Sequence, residues 1–245
     1  MSEQYATDAN LRARIDLHQR FSTRKEDWHR WLFERIEIPA GARVLEVGCG
    51  SAEFWKKNAD RIDPSWQLTL SDQSAGMIES ARSVLGERAE YVVADVEELP
   101  FPDESFDIVM AHHMLYHVSN RSQAFAEIRR VLVPGGALHA ATNGAGHLDE
   151  LFALYEAPFH EYLEAFGLET GPGQLAPSFQ DIRLERSEGE LRVTEVEPVL
   201  AYIRSSPAYD GRQLEEASET VGAAIAHDGA FRIETCAGLI SCRKP

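Results

Sequence analysis

The sequence predicts an α/β protein organised on a mainly parallel sheet with helices on both faces, and three observations carry that expectation. Strand-type and helix-type segments alternate from Val44 to Thr142, the pattern produced when each strand returns through a helix. A turn punctuated by Gly48 and Gly50 joins the first strand to its helix. Acidic residues, Glu46, Asp72 and Asp95, fall at the carboxyl ends of the first three strands, where open α/β sheets bind ligands.

The elements follow in order. Leu11, Ile15 and His18, then Trp28, Trp31, Leu32, Arg35 and Ile36, mark amino-terminal helices, the second at clear helical spacing. Two tryptophans on such a face read more readily as core than as a ligand wall. Pro39-Ala40-Gly41 breaks the helix before Val44, Leu45 and Val47, an aliphatic run of buried-strand type. Strands are expected over 66–71, 90–94, 105–111 and 137–142, with helices over 75–85 and 123–132 between them. Leu99-Pro100-Phe101-Pro102 is a loop, because proline restricts both itself and its predecessor. Beyond Thr142 the pattern is less regular. It suggests a helix over 147–166, a loop at Gly171-Pro172-Gly173, a short strand near 181–184, helices over 197–203 and 214–226, and a strand over 231–243 with a turn at Ala237-Gly238.

Composition narrows the function classes. At 245 residues the chain can bury one large core. Lys and Arg number 24 against 40 Asp and Glu, a formal net charge of -16, which repels phosphate backbones and makes nucleic acid an unfavourable partner. The cysteines, Cys49, Cys236 and Cys242, are odd in number and follow no secretory signature, a reduced, cytoplasmic profile. No apolar run approaches the roughly 20 residues that span a bilayer. The expectation is a soluble protein.

The glycine turn narrows the ligand. A strand that feeds a helix through glycines lets a ligand approach the backbone and aims free helix N–H groups at it. The dinucleotide fingerprint wants a third glycine three places after the second, but position 53 is Glu, whose charge would repel a pyrophosphate. A nucleoside without a diphosphate fits better. Asp72 lies roughly 20 residues beyond the turn, the distance at which a carboxylate can grip a ribose diol. Each of the three carboxylates is equally compatible with a helix cap; their recurrence at successive strand ends favours a ligand site.

These residues stand in an ordered series: Glu46-Val47-Gly48-Cys49-Gly50, Ser71-Asp72-Gln73-Ser74 with Gly76-Met77, Ala94-Asp95-Val96-Glu97, Leu99-Pro100-Phe101, Phe106-Asp107-Ile108-Val109, Leu115-Tyr116-His117 and Val131-Leu132-Val133-Pro134-Gly135-Gly136. The series resembles the class I S-adenosylmethionine-dependent methyltransferases, in their small-molecule, type 11-like branch. The resemblance implies a Rossmann-like, doubly wound, mainly parallel seven-stranded sheet with an antiparallel edge. It implies a single domain over 1–245, with an amino-terminal helical lid over 1–38, a cofactor core over 39–144, and acceptor-side helices and last strands over 145–245. S-adenosylmethionine is the implied cofactor. Gly48 and Gly50 would pass its methionine half, Asp72 its ribose hydroxyls and Asp95 its adenine amino group, with Gln73, Met77 and Val96 beside the adenine and Glu46, Cys49 and Ala111 completing the cofactor wall. Ala52 departs from the glycine usual in that turn, adding one methyl. Tyr5, Arg14, His18 and Phe21 are the implied lid, with a packing helix as the equal alternative.

The acceptor chemistry is less determined. Methyl transfer is an in-line displacement that needs a cation held beside an acceptor in a dry site, and a base is needed only where the acceptor must lose a proton. His112 and His113, where the fourth strand ends, are the base candidates because imidazole titrates near neutral pH; pocket shape or core packing is the competing role for either. His113 and His117 are four apart, but Met114 stands where a zinc-protease helix needs Glu, so no metal is expected. His117, Asn143 and His147, with Tyr5 and His18, are the candidate acceptor contacts, and a structural hydrogen bond at a helix start is the competing role for His117. Phe152, Tyr155, Phe159, Tyr162 and Phe166 have helical spacing and read as a core stripe. The leading expectation is an O- or N-methyltransferase acting on a small molecule. The alternatives are a cofactor-binding protein without methyl transfer, or with another rearrangement in the same pocket, and an oxidoreductase, against which Glu53 argues.

Overall fold

The computed structural model describes residues 9–155, 159–206, 208–209 and 211–245. Two helices come first, α1 (Ala9–Phe21) and α2 (Trp28–Phe33). Asp27 caps α2, its carboxylate accepting from the His29 and Arg30 N–H groups, and the helix stops at Phe33, short of the expected Ile36. Then come β1 (Arg43–Val47), α3 (Glu53–Lys57), β2 (Gln67–Asp72), α4 (Ala75–Leu85), β3 (Glu90–Val93), β4 (Phe106–His112), α5 (Arg121–Val131) and β5 (Leu132–Asn143). Side chains open two of these helices: Ser74 accepts from Met77 N–H on α4, and Asn120 from Gln123 N–H on α5, as oxygen-bearing caps do. The rest is α6 (Asp149–Ala153), α7 (Phe159–Phe166), α8 (Gly171–Leu175), β6 (Gln180–Val193), α9 (Val196–Arg204), α10 (Leu214–Asp228) and β7 (Phe231–Arg243).

The seven strands form one sheet in the order β3-β2-β1-β4-β5-β7-β6. β1 to β5 pair in parallel, and β7 runs antiparallel to both β5 and β6. The order reverses between β1 and β4, so a crevice opens at their carboxyl ends. Alternation along the strands fills both faces: Leu45, Val47, Val109 and Leu138 pack on one side with α5, and Val44, Leu68, Leu70 and Met110 on the other with α3 and α4.

The carboxyl-terminal half differs most from the sequence expectation. The helix expected over 147–166 is two helices, α6 and α7. The Gly171-Pro172-Gly173 segment is not a loop but opens α8, since proline is tolerated in a first helical turn; a Cβ on Gly171 would lie 2.7 Å from Ile240 Cδ1. Pro134-Gly135-Gly136 lies inside β5, where the pairing with β4 shifts register. The short strand near 181–184 is the 14-residue β6. Its alternating arginines and glutamates belong to an exposed edge strand, a pattern that discourages pairing with another chain.

β5 pairs only with Ala237–Arg243 of β7, while β6 follows β7 to Phe231. The paired ends of β6 and β7 therefore project past the parallel sheet. On them sits a third apolar cluster, including Leu17, Leu148, Leu191, Val199, Ile203, Val221 and Ile233, which makes a roof of α1, α6, α9 and α10 over the crevice.

The expected turn at Ala237-Gly238 is instead mid-strand. A Cβ on Gly238 would collide with the Glu185 carbonyl oxygen and lie 3.0 Å from both Leu168 methyls. Gly238→Ala should therefore force β6 and β7 apart and destabilise the fold by about 1–3 kcal/mol. A thermal melt matching the parent would show that the strands approach less closely there.

Candidate functional site

The crevice between the parallel strand ends and the roof is a cavity of about 1080 Å³. Its floor begins at the glycine turn. Gly48 and Gly50 have φ of +63° and +54°, a region glycine enters without steric cost. A Cβ at Gly48 would lie 2.8 Å from Met114, whereas the space beside Gly50 is open. Ala52 keeps the left-handed conformation of the turn, with φ of 59°, and buries its methyl completely, so contact in the core offsets part of the backbone strain.

Asp72 ties this turn to the next strand end. One carboxylate oxygen accepts from Gly50 N–H at 2.9 Å and the other from Ser74 N–H at 2.8 Å. Each oxygen has a further lone pair for a ligand. Burial raises the Asp72 carboxyl above the usual range against these two N–H groups, and the Glu46 charge adds to the rise. Further out, Asp95 accepts from Gln73 Nε2 at 2.8 Å and from Glu97 N–H at 2.9 Å. Met77 and Val96 are buried beside them on the same wall. Cys49 is also on the wall, but burial and the charges of Glu46 and Asp72 push its thiol far up, so it stays protonated and unreactive.

Two placements depart from the expected cofactor wall. Ala111 is fully buried in the core against Val109 and Leu138 and is not on the cavity wall, because the strand pleat gives that side to His112. Glu46 is on the wall, but both its oxygens are engaged: Trp55 Nε1–H donates at 2.6 Å and His112 Nδ1 is 3.0 Å away. That contact puts the His112 proton on Nδ1 and leaves Nε2 as the acceptor. His112 Nε2 is itself sealed and without a partner, with the Phe54 ring 4.7 Å from the imidazole, centre to centre. As a base it is closed to the cavity in this conformation.

The roof brings together residues remote in sequence. His18 of α1 stacks at 6.1 Å on His147, whose Nδ1 accepts from Cys236 N–H on β7. His113, in a left-handed conformation at φ 53°, meets Trp28 at 5.6 Å. His117 and Asn143 lie on the same cavity, as do Phe152, Tyr155 and Tyr202. The core stripe read from the sequence is present as well: Phe166 is core, and Tyr155 is buried in the roof cluster with Phe152 packed against it; Tyr5 and the side chains of Phe159 and Tyr162 lie outside the described residues. Burial, the largest cause in each case, lowers His18 and His117 to about 4 and His113 to about 3, and takes His147 well down. Trp28, read from sequence as core, is both packed and wall-forming. Arg24 and Tyr202 carried no sequence signal, because the strands and helices that bring them to the cavity lie more than a hundred residues away from one another in the chain.

Residues 45–140 match the family model described as a methyltransferase domain. The chain carries a class I S-adenosylmethionine-dependent methyltransferase domain. Around that domain it is 38% identical over 116 residues to the ubiquinone/menaquinone biosynthesis C-methyltransferase UbiE of Hahella chejuensis, covering 45% of this chain and 47% of that protein. It is 40% identical over 121 residues to the malonyl-[acyl-carrier protein] O-methyltransferase of Geobacter sulfurreducens, covering 49% of this chain and 45% of that one. The chain thus matches about half the length of these curated relatives. The fold also matches Haemonchus contortus phosphoethanolamine N-methyltransferase 2 in complex with S-adenosyl-L-methionine, with a TM-score of 0.62 at 23% identity, over 99% of this chain and 58% of that one. Among the described residues, no helix is long and apolar enough to cross a membrane.

The buried imidazoles make stability depend on pH. His139, lowered to about 3 by burial, joins His18, His113 and His117 in a folded state that takes up protons far below the ordinary value of 6.5. As pH falls below 6.5 the unfolded chain binds protons first, so stability present above 6.5 is lost on the way to about 3. The melting temperature should be lower at about pH 5 than at about pH 7.5. An equal or higher value at the lower pH would mean that the imidazoles are solvated in solution.

Proposed function

We propose that this protein transfers the methyl group of S-adenosylmethionine to an oxygen or nitrogen of a small-molecule acceptor. The observation that carries the reading is Asp72, held by Gly50 and Ser74 N–H at the lip of one cavity whose far wall is built from histidines and aromatics. When bound, S-adenosylmethionine supplies an electrophilic methyl group on a sulfonium. The open space beside Gly50 admits its methionine half to the backbone. The spare lone pairs of Asp72 accept from the ribose hydroxyls, and Asp95, Gln73, Met77 and Val96 flank the adenine. Glu46 and Asp72 together give this end the negative potential that favours a cation.

His18, His117, Asn143 and His147 face the acceptor under the roof and exclude water from it, which strengthens every polar contact made there. His113, just past the end of β4 on the cavity wall, is the imidazole that accepts the acceptor's proton. His112 is a positioning residue, held by Glu46 beneath Phe54. A proton acceptor lowered to about 3 is already neutral across the physiological range. The rate should then show no histidine limb between about pH 5 and 8, a correction to the expectation of a base titrating near neutrality.

The purified protein should bind S-adenosylmethionine and its demethylated product in calorimetry and should not bind NAD; binding of NAD alone would overturn the cofactor assignment. Asp72→Ala should weaken cofactor binding by about 10-fold or more, given roughly 1.5–3 kcal/mol for each hydrogen bond to a charged group. The exposed Asp95, better screened by solvent, should matter less on substitution to alanine. Equal affinity in the parent and the Asp72 variant would make that residue only a cap.

Incubating extracts of the source organism with methyl-labelled cofactor identifies the acceptor and the atom methylated. Cofactor binding without any labelled product would favour a protein that does not transfer methyl groups. With the acceptor in hand, His113→Ala should lower turnover by about 10²–10⁴ and leave cofactor affinity intact. His112→Ala should lower turnover less and lower the melting temperature more. Full turnover in the His113 variant would leave catalysis to proximity alone.

A further inference from the structure

The cavity has two electrically different ends. Glu46, Asp72 and Asp95 surround the glycine turn, whereas Arg14 and Arg24 reach the opposite, roofed end. In a chain with 24 basic residues against 40 acidic ones, an arginine finds a carboxylate easily, and Arg20, Arg30, Arg35, Arg43, Arg130 and Arg186 all do so. Among the described residues, Arg14 and Arg24 have no carboxylate in ion-pair range, although both are partly buried.

Neutral groups hold both guanidiniums in place. Arg24 donates to Ser187 Oγ at 2.6 Å, to the Ser187 carbonyl and to Thr235 Oγ1 at 3.4 Å, and its Nε is buried with no partner. The fit is tight: a Cβ on Gly189 would lie 2.5 Å from that Nε. Trp28 presents its ring 5.9 Å away. Arg14 donates to Ser205 Oγ and to the Ser205 carbonyl, both at 3.1 Å, and lies over Tyr202 at 5.6 Å. These contacts orient the cations without neutralising them. Glu26 shares the wall but pairs with neither arginine, and Asp27 is engaged by the first turn of α2 and by Lys57.

A partly buried cation without a counterion is unfavourable by itself, and a ligand can supply what the fold omits. We propose that the acceptor carries an anionic group, a carboxylate or a phosphate, which Arg24 and Arg14 bind at the roofed end of the cavity. This rests on the methyl-transfer reading of the same cavity. The positive field of Arg24 reaches His18 and His147, and that of Arg14 reaches His117. It favours their neutral forms, leaving them as hydrogen-bonding groups beside the anion. The acidic end takes the cationic cofactor, so the two substrates are sorted by charge before any shape is tested.

Four small aromatic probes test this on the full chain saturated with S-adenosylhomocysteine, whose own binding is measured first by calorimetry. Benzoate and phenyl phosphate are the anions, benzamide the neutral match and benzylamine the cation. Binding is read from the imidazole carbon–proton signals of His18 and His147. At least one anion should shift those signals at concentrations where benzamide and benzylamine do not. Arg24→Gln and Arg14→Gln should each weaken that anion about 10-fold or more, with Arg24→Lys retaining more than Arg24→Gln and cofactor-product affinity unchanged throughout.

Equal response to benzamide or benzylamine, no response to either anion, or parent-like anion binding in both Gln variants would overturn the proposal. Should Arg24→Gln not fold, discrimination among the four probes by the parent and the Arg14 variant decides. Failure of S-adenosylhomocysteine to bind would overturn the methyl-transfer reading itself. Anion failure with the cofactor product bound would overturn only this inference.

Discussion

A carboxylate near the carboxyl end of a buried parallel strand is the constraint around which the site is arranged. Glu46 is 2% exposed between Leu45 and Val47, and an ion there is unfavourable unless its oxygens are met. They are met by Trp55 from α3 and His112 from β4. One side chain thereby fixes the helix after the glycine turn against two neighbouring strands. It also sets the His112 tautomer and presses that ring under Phe54. The turn itself is fastened from the other side by Asp72, through Gly50 and Ser74. The left-handed backbone of Gly48, Gly50 and Ala52 is thus held by two carboxylates before any ligand arrives. Such preorganisation lowers the ordering that binding would otherwise require.

The roof depends on a different constraint, the unequal length of the strands. β7 is 13 residues long and β1 is 5, so β7 and its partner β6 outrun the parallel sheet and must find another surface for Leu191, Val193 and Ile233. They find it in α1, α9 and α10. The same overhang carries Thr235, whose oxygen receives Arg24, and Cys236, whose N–H donates to His147, and Ser187, the other partner of Arg24, stands at its base. The apolar side of the overhang therefore stabilises the roof, and its polar groups orient the cavity.

The parallel half of this architecture was legible because its signals are local. Gly48 and Gly50 follow an aliphatic run directly, Ser74 opens a helix three residues before the N–H it receives, and the aspartates stand at the last residue of a strand or two places beyond it. The other half was not legible, for physical reasons that differ from case to case. β6 carries Arg183, Glu185, Arg186, Glu188, Glu190 and Arg192 on an edge with solvent beside it, so it lacks the apolar alternation that marks a half-buried strand. Gly238 looked like a turn because close packing against Leu168 and the Glu185 carbonyl is a tertiary fact. His112 and His113 were indistinguishable in sequence. Their difference comes from Glu46, 66 residues upstream of His112, and from a left-handed residue at 113 that no local rule predicts for histidine. Trp28 reads as core because its helix is amphipathic, and the cavity wall it also forms depends on where β4 ends.

Burial links the chemistry of the two ends. The enclosure that lowers His113 also takes away the water that would screen Asp72 at one end and Arg24 at the other. A wet, open crevice would leave His113 a stronger base and both charged ends weaker, since a charge is felt less in high dielectric. Enclosure reverses each of those effects at once. Methyl transfer tolerates the exchange because it draws much of its rate from holding two reactants in line. A reaction that required a strong base in its ground state would not tolerate it. Within this fold, the loss of basicity at His113 and the gain in electrostatic grip at Asp72 and Arg24 therefore have a single origin, the closing of the roof over the strand ends.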